Sequence, residues 1–259
     1  MAKAWAKFPY PDKKYVYTAA TLKKAWDRLH KGDAEPFPKA EAVVEAWIAF
    51  HAGEFQKASD LGLKAGAEGA SVANKAESIY ANYLEDSDKR KLELFEEVAG
   101  RAEALQAKEP RNANAFYWQA YSLGRYAQGI SVGKALAQGI GGKVKVALET
   151  TIKLAPKHGD AHIALGSYHA EVIDKVGAMI GGLTYGAKKD VALKNYQAAL
   201  KLMPDSAIAR IEYANGLVML EGKKALKQAE ELYEAAAACE PMDAMERLDV
   251  ELAKSELED

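Results

Sequence analysis

A four-residue phrase ending in proline recurs along this chain and restricts its fold more than any other feature. It reads Ala-Lys-Glu-Pro at Pro110, Lys-Leu-Ala-Pro at Pro156, Lys-Leu-Met-Pro at Pro204 and Ala-Cys-Glu-Pro at Pro241. Each time a helical pattern runs into the proline and a new one starts a few residues later. Proline lacks the N–H that the next hydrogen bond needs, and its ring clashes with the preceding turn. The four prolines therefore read as punctuation between helical hairpins. No stretch alternates apolar and polar residues as a half-buried strand would.

Counting back 5, 8 and 12 positions from Pro204 gives Ala199, Tyr196 and Ala192; from Pro241 it gives Ala236, Tyr233 and Ala229. This spacing puts three side chains on one helix face. The alanines admit a neighbouring helix and the aromatic fills the hole between them. Leu165-Gly166 supplies the matching small contact on a first helix. Pro156 keeps the spacing with Thr151, Leu148 and Val144, and the hairpin before Pro110 matches less well. On these residues the chain resembles the tetratricopeptide family. The fold expected is all-α, a right-handed helical-hairpin solenoid of tetratricopeptide-like repeats with two long apolar insertions.

The insertions follow from the proline spacings of 46, 48 and 37 residues, against about 34 for a tetratricopeptide unit. The extra residues fall between first and second helix, in 126–143 and 176–186, both apolar and glycine-rich. Three readings of them stay open: a cover over a groove that shapes a pocket for a small apolar ligand, a homo-oligomer contact, or added core in a longer hairpin. Helices are expected at about 18–30, 37–51, 54–66, 70–85, 88–108, 113–128, 143–155, 160–176, 188–203, 206–221, 223–239 and 243–256. Residues 1–36 form an irregular segment with one helix, 37–241 the array, and 242–259 a capping helix.

A narrower likeness rests on Asp160-Ala-His-Ile-Ala-Leu-Gly-Ser-Tyr-His-Ala-Glu171, the glycine-rich stretch after it, and Ala192-Leu-Lys-Asn-Tyr-Gln-Ala-Ala-Leu-Lys-Leu-Met-Pro204. Over about residues 110–240 the chain is similar to the T-component family associated with tripartite ATP-independent periplasmic transporters. It is similar also to the regulator-of-microtubule-dynamics family. The first likeness implies an oligomeric array with an apolar cavity or pore and a protein partner that delivers small ligands. The lipoprotein signal of the one family and the anchoring segments of the other do not occur in this sequence.

A formal net charge of −2 and a pI near 6.3 argue against a nucleic-acid partner. No apolar run reaches the length of a membrane span. The first residues contain no apolar signal core, so a cytoplasmic location is expected, or a periplasmic one if a signal has been removed. The single cysteine, Cys239, reads as a small buried thiol.

Apparent catalytic motifs fail on context. Gly129-Ile-Ser-Val-Gly133 fits G-x-S-x-G, but a nucleophile elbow needs a strand before Ser131. Gly139-Ile-Gly-Gly-Lys143 lacks the earlier glycine and the following Ser or Thr of a phosphate loop. His158, Asp160, His162, His169 and Glu171 form the one ligand-rich cluster, and their repeat positions favour structural histidines over a metal site. No catalytic residue, metal or cofactor is assigned. The repeat phase points instead to a groove lined by first helices. Asn114, Tyr117, Tyr121 and Arg125 lie in one hairpin, Ile163, Ser167 and Glu171 in the next, and Ile211 and Asn215 in the last. Tyrosine and arginine suit a peptide or protein partner, because the guanidinium is a planar fork and the phenol gives area at small entropic cost. The function expected is a non-enzymatic interaction scaffold, with an apolar-ligand or pore-like component as the alternative.

Overall fold

The prolines mark helix ends in the folded chain. A computed structural model describes residues 4–258, in which every regular element is helical. The helices are α1 (Ala19–Leu29), α2 (Glu41–His51), α3 (Phe55–Lys64), α4 (Ala70–Tyr83), α5 (Asp88–Lys108), α6 (Ala113–Gln128) and α7 (Val132–Ala137). They continue with α8 (Ile140–Leu154), α9 (Gly159–Val176), α10 (Ala178–Tyr185), α11 (Lys189–Leu202), α12 (Ala207–Glu221), α13 (Leu226–Ala237) and α14 (Ala244–Glu258).

Two residues after each of the first three prolines comes a side chain that caps the next helix. Asn112 accepts from the Ala115 N–H at 3.3 Å, His158 Nδ1 from Ala161 at 3.1 Å, and Ser206 from Ala209 at 3.2 Å. Stop and start signals thus come as one cassette, with proline ending one helix and the capping acceptor satisfying an orphan N–H of the next. The element boundaries lie close to those expected, with three differences. Residues 37–40 precede α2 rather than belong to it. Both insertions contain a short helix, α7 and α10. A 3-10 turn at Gly222–Ala225 leads into α13.

The chain divides into two compact units. Unit 1 comprises Met1–His30, Glu35–Leu154 and Met242–Met245; unit 2 comprises Lys31–Ala34, Ala155–Pro241 and Glu246–Asp259.

Unit 1 stacks the hairpins α2/α3, α4/α5 and α6/α8. Its central helix, α4, is buried continuously from Ala70 to Ala81, including Ser71, Asn74, Lys75, Glu77 and Ser78. A first helix of such a hairpin would ordinarily leave one face in water; here the chain's own segments cover it. Glu35 accepts hydrogen bonds from Ser71 Oγ at 2.6 Å and Asn114 Nδ2 at 2.5 Å. Trp26 donates from Nε1 to the Glu35 carbonyl at 2.7 Å, stacks on His30 and meets Trp47 edge-on. His51 Nδ1 lies 2.7 Å from Asp243 Oδ2, and its Nε2 lies 3.3 Å from His30 Nε2. On the other side of α4, Arg101 of α5 pairs with Glu77 and donates to Asn74 Oδ1 at 2.6 Å, while Ser59 Oγ donates to Glu77 at 2.7 Å. Burying this many polar groups is tolerable because most of them satisfy one another, the Asn74 amide N–H being the exception.

Unit 2 pairs α9 with α11 and α12 with α13. Its organising side chain is Tyr196 of α11, flanked by the buried Ala192 and Ala199. The ring lies between two glycines on first helices: a Cβ at Gly166 would sit 2.9 Å from it, and one at Gly216 would overlap the ring and its hydroxyl. Tyr213 stacks on it at 5.2 Å. Any side chain at either glycine would hold the helices apart, so the close approach comes from residues 166 and 216. From α14, Val250 and Ala253 pack on Ala207, Ile211 and Ala236.

Candidate functional site

The first-helix face differs from the expected groove at four positions. Asn114 is buried and held by Glu35, and Tyr117 is buried with its ring edge-on to Trp118. Ile163 packs in a core cluster with Ala199, Met203 and Ala209, and Ile211 in another with Ala236 and Val250. These four are corrections to the sequence reading. Ile163 and Ile211 pack into apolar clusters, and Glu35 accepts from Asn114, so these three are turned into the fold.

The remaining five are half-buried and keep polar atoms near the surface. In unit 1, the Arg125 guanidinium lies 5.4 Å from the Tyr121 ring centroid and donates to Gln128 Oε1 at 3.2 Å. In unit 2, Ser167 of α9 donates to Glu212 of α12 at 2.9 Å and accepts from the Tyr196 hydroxyl at 3.1 Å. Asn215 Oδ1 accepts from the Tyr233 hydroxyl at 2.6 Å, and Glu171 pairs with Lys175 at 3.3 Å. Second-helix tyrosines thus reach between the first helices and fix the acceptors on their outer face.

Glu212 and the two tyrosine hydroxyls are absent from the sequence-derived set. Glu212 precedes Asn215 by three positions, so helical spacing alone would put both on one face. The hydroxyl contacts needed the glycine notches at 166 and 216. Burial pushes the Tyr196 hydroxyl well above the ordinary tyrosine range; the Ser167 bond opposes this, and Glu212 and Glu171 reinforce it. Tyr233 is raised too, first by burial and then by Glu256, against the bond to Asn215. Glu171 and Glu212 thus stand close enough to Tyr196 to act on it, and the face carries several acceptors.

The other chemistry-bearing residues have structural partners. Ser131 caps α7, its Oγ accepting from the Lys134 N–H at 3.3 Å. His158 caps α9, His169 Nδ1 accepts from the Lys188 N–H at 3.2 Å, and His162 lies between Asn195 Oδ1 and the Pro156 carbonyl. Among the described residues no group of three His, Cys, Asp or Glu is placed to hold a metal ion, and no helix is long and apolar enough to cross a membrane. Cys239, expected to be buried, is half-buried, with Sγ donating to the Ala235 carbonyl at 3.3 Å.

No protein-family model matches the chain, and no curated protein matches it. Among solved structures it is similar to TTC0263, a thermophilic TPR protein of Thermus thermophilus. The TM-score is 0.58 at 16% identity, over 83% of this chain and 97% of that one. Identity at that level speaks to architecture alone. The fold is that of tetratricopeptide-like helical hairpins.

Proposed function

We propose that the protein is a non-enzymatic interaction scaffold that binds a peptide or protein partner on the concave face lined by first helices. The observation that carries this reading is the fixed row of acceptors on α9 and α12: Ser167, Glu171, Glu212 and Asn215, with two of them held by Tyr196 and Tyr233. An extended peptide presents backbone N–H groups and side-chain cations, and acceptors already locked in place lose little entropy in meeting them. Tyr121 and Arg125 of unit 1 offer a second contact of opposite charge, suited to a carboxylate. The serine and histidines that would suggest an enzyme are each engaged in capping or positioning backbone, which supports a binding role.

The alternative, an apolar-ligand carrier of the T-component kind, needs the insertions to close over a cavity. In α10, Met179 is 76% and Leu183 85% exposed, which favours the scaffold reading.

A peptide-display selection against the purified protein tests the proposal. Selected peptides should carry cations and lose at least about tenfold in affinity to Glu212→Gln with Asn215→Ala, the one charge-assisted contact to Glu212 alone being worth about 1.5–3 kcal/mol. Tyr121→Ala with Arg125→Glu should weaken those peptides that carry a carboxylate. Peptides that bind both variants as they bind the wild type would place recognition elsewhere.

A further inference from the structure

From Pro110 through Leu148 the chain holds Arg111, Arg125, Lys134, Lys143 and Lys145 and not one Asp or Glu, in a protein of net charge −2. This basic stretch contains the insertion of unit 1. Its helix, α7, has no buried residue. Val132 and Leu136 are 45% and 47% exposed, and Val146 on α8 is 64% exposed. Val132 and Leu136 are four residues apart and share a face, while Lys134 projects from the opposite one, its Nζ 5.6 Å from the Tyr126 ring. A six-residue helix with no buried residue gains little stability from packing, and exposed aliphatic groups on such an element mark a surface for something else.

We infer that this insertion docks on an anionic phospholipid surface. Val132 and Leu136 enter the boundary between headgroups and acyl chains, and Lys134 and Lys143 remain among the phosphates, as long cationic side chains do at membrane interfaces. The basic charge selects anionic lipid, because each Lys near such a surface adds attraction that decays within a Debye length. An acidic protein partner fits less well. A specific protein interface needs about 1,000 Å² of complementary surface, and α7 offers only the six residues Val, Gly, Lys, Ala, Leu and Ala. A bilayer has no shape to match and accepts isolated aliphatic wedges.

The test is co-flotation of the full chain with vesicles of phosphatidylcholine alone or with about 30% phosphatidylserine. The protein should float with the anionic vesicles, and raising the salt from about 0.05 to 0.3 M should release most of it. Lys134→Glu with Lys143→Glu should reduce the bound fraction about tenfold. Val132→Ser with Leu136→Ser should reduce it comparably at unchanged charge, which an electrostatic contact alone would not show. Val132→Cys carrying an environment-sensitive dye should shift to the blue on anionic vesicles, a readout independent of how the multiple variants fold. Equal partition onto both vesicle types, or variants that float like the wild type, would overturn the inference. So would a protein that ignores vesicles but binds polyglutamate through Lys134 and Lys143.

Discussion

Unit 1 and unit 2 use the same hairpin and treat its first-helix face in opposite ways. In unit 1, the side chains of Trp26, His30, Glu35 and Asp243 lie on α2, α4 and α6, so that face is interior. In unit 2, α9 and α12 keep Ser167, Glu171, Glu212 and Asn215 half-buried at the surface. The interiors differ to match. Unit 1 buries charge and amide around α4, whereas unit 2 interlocks a tyrosine with two glycines. A hairpin repeat thus fixes how helices stack but leaves open whether the first-helix face meets the chain itself or a partner.

The largest effect expected from a single substitution lies in unit 1. Arg101 is the cation facing the buried Glu77, and it also serves Asn74. Arg101→Met should leave that carboxylate without its counter-charge and cost about 3–5 kcal/mol, read as a lowered urea midpoint. Arg101→Met with Glu77→Gln should recover part of the loss, because the uncompensated charge is gone. Next comes Asp243→Ala, which removes the acceptor of His51 in a site ringed by Trp26, Trp47 and Phe50. An orphaned buried donor costs about 1–3 kcal/mol, and amide exchange in α1 and α2 should quicken. If α1 and α2 exchange as in the wild type, Asp243 does not hold that face closed.

Gly216→Ala probes unit 2. The added methyl overlaps the Tyr196 ring, and overpacking of this kind costs about 1–3 kcal/mol. Tyr196→Leu in the same chain should relieve the clash, giving a double variant more stable than the sum of the two losses predicts. Strict additivity would mean that residues 196 and 216 are not pressed together.

The repeat frame was legible in the sequence because each part has a local cause. Proline stops a helix, Asn112 or Ser206 starts the next, and the Ala192, Tyr196 and Ala199 spacing faces a neighbour through helical periodicity alone. Even the hairpin before Pro110, which matched least, places Val98, Ala102 and Leu105 at the same offsets, all buried. The candidate surface was read less well. That Asn114 lies inside follows from Glu35, 79 residues before it, and His51 likewise takes its partner from a tail residue, Asp243, 192 positions away. Spacing on one helix carries no record of contacts so distant. In unit 2 the error was of phase: Ile163 and Ile211 turn into apolar clusters, and Glu212, beside Ile211, takes the outer position.

The smallest change, Tyr196→Phe, tests most directly whether the acceptor row of unit 2 is held from within. At neutral pH it removes one hydrogen bond to Ser167 and should cost about 1 kcal/mol. Its pH dependence is more informative. Burial raises the folded pKa of this hydroxyl above the ordinary 10.0, so below that value both folded and unfolded chains keep the proton and the group contributes no slope. Above it the unfolded chain releases the proton and the folded chain retains it, so stability falls as pH rises. One such group loses about 1.4 kcal/mol for each pH unit beyond the unfolded pKa. Tyr196→Phe should therefore be the less stable protein at about pH 8 and should draw level with or pass the wild type by about pH 11. Tyr233, only half-buried, should give a weaker version of the same crossing when changed to Phe. A stability gap between Tyr196→Phe and the wild type that stays constant over this range would show that water reaches the hydroxyl. The row of acceptors would then be set by the first helices alone.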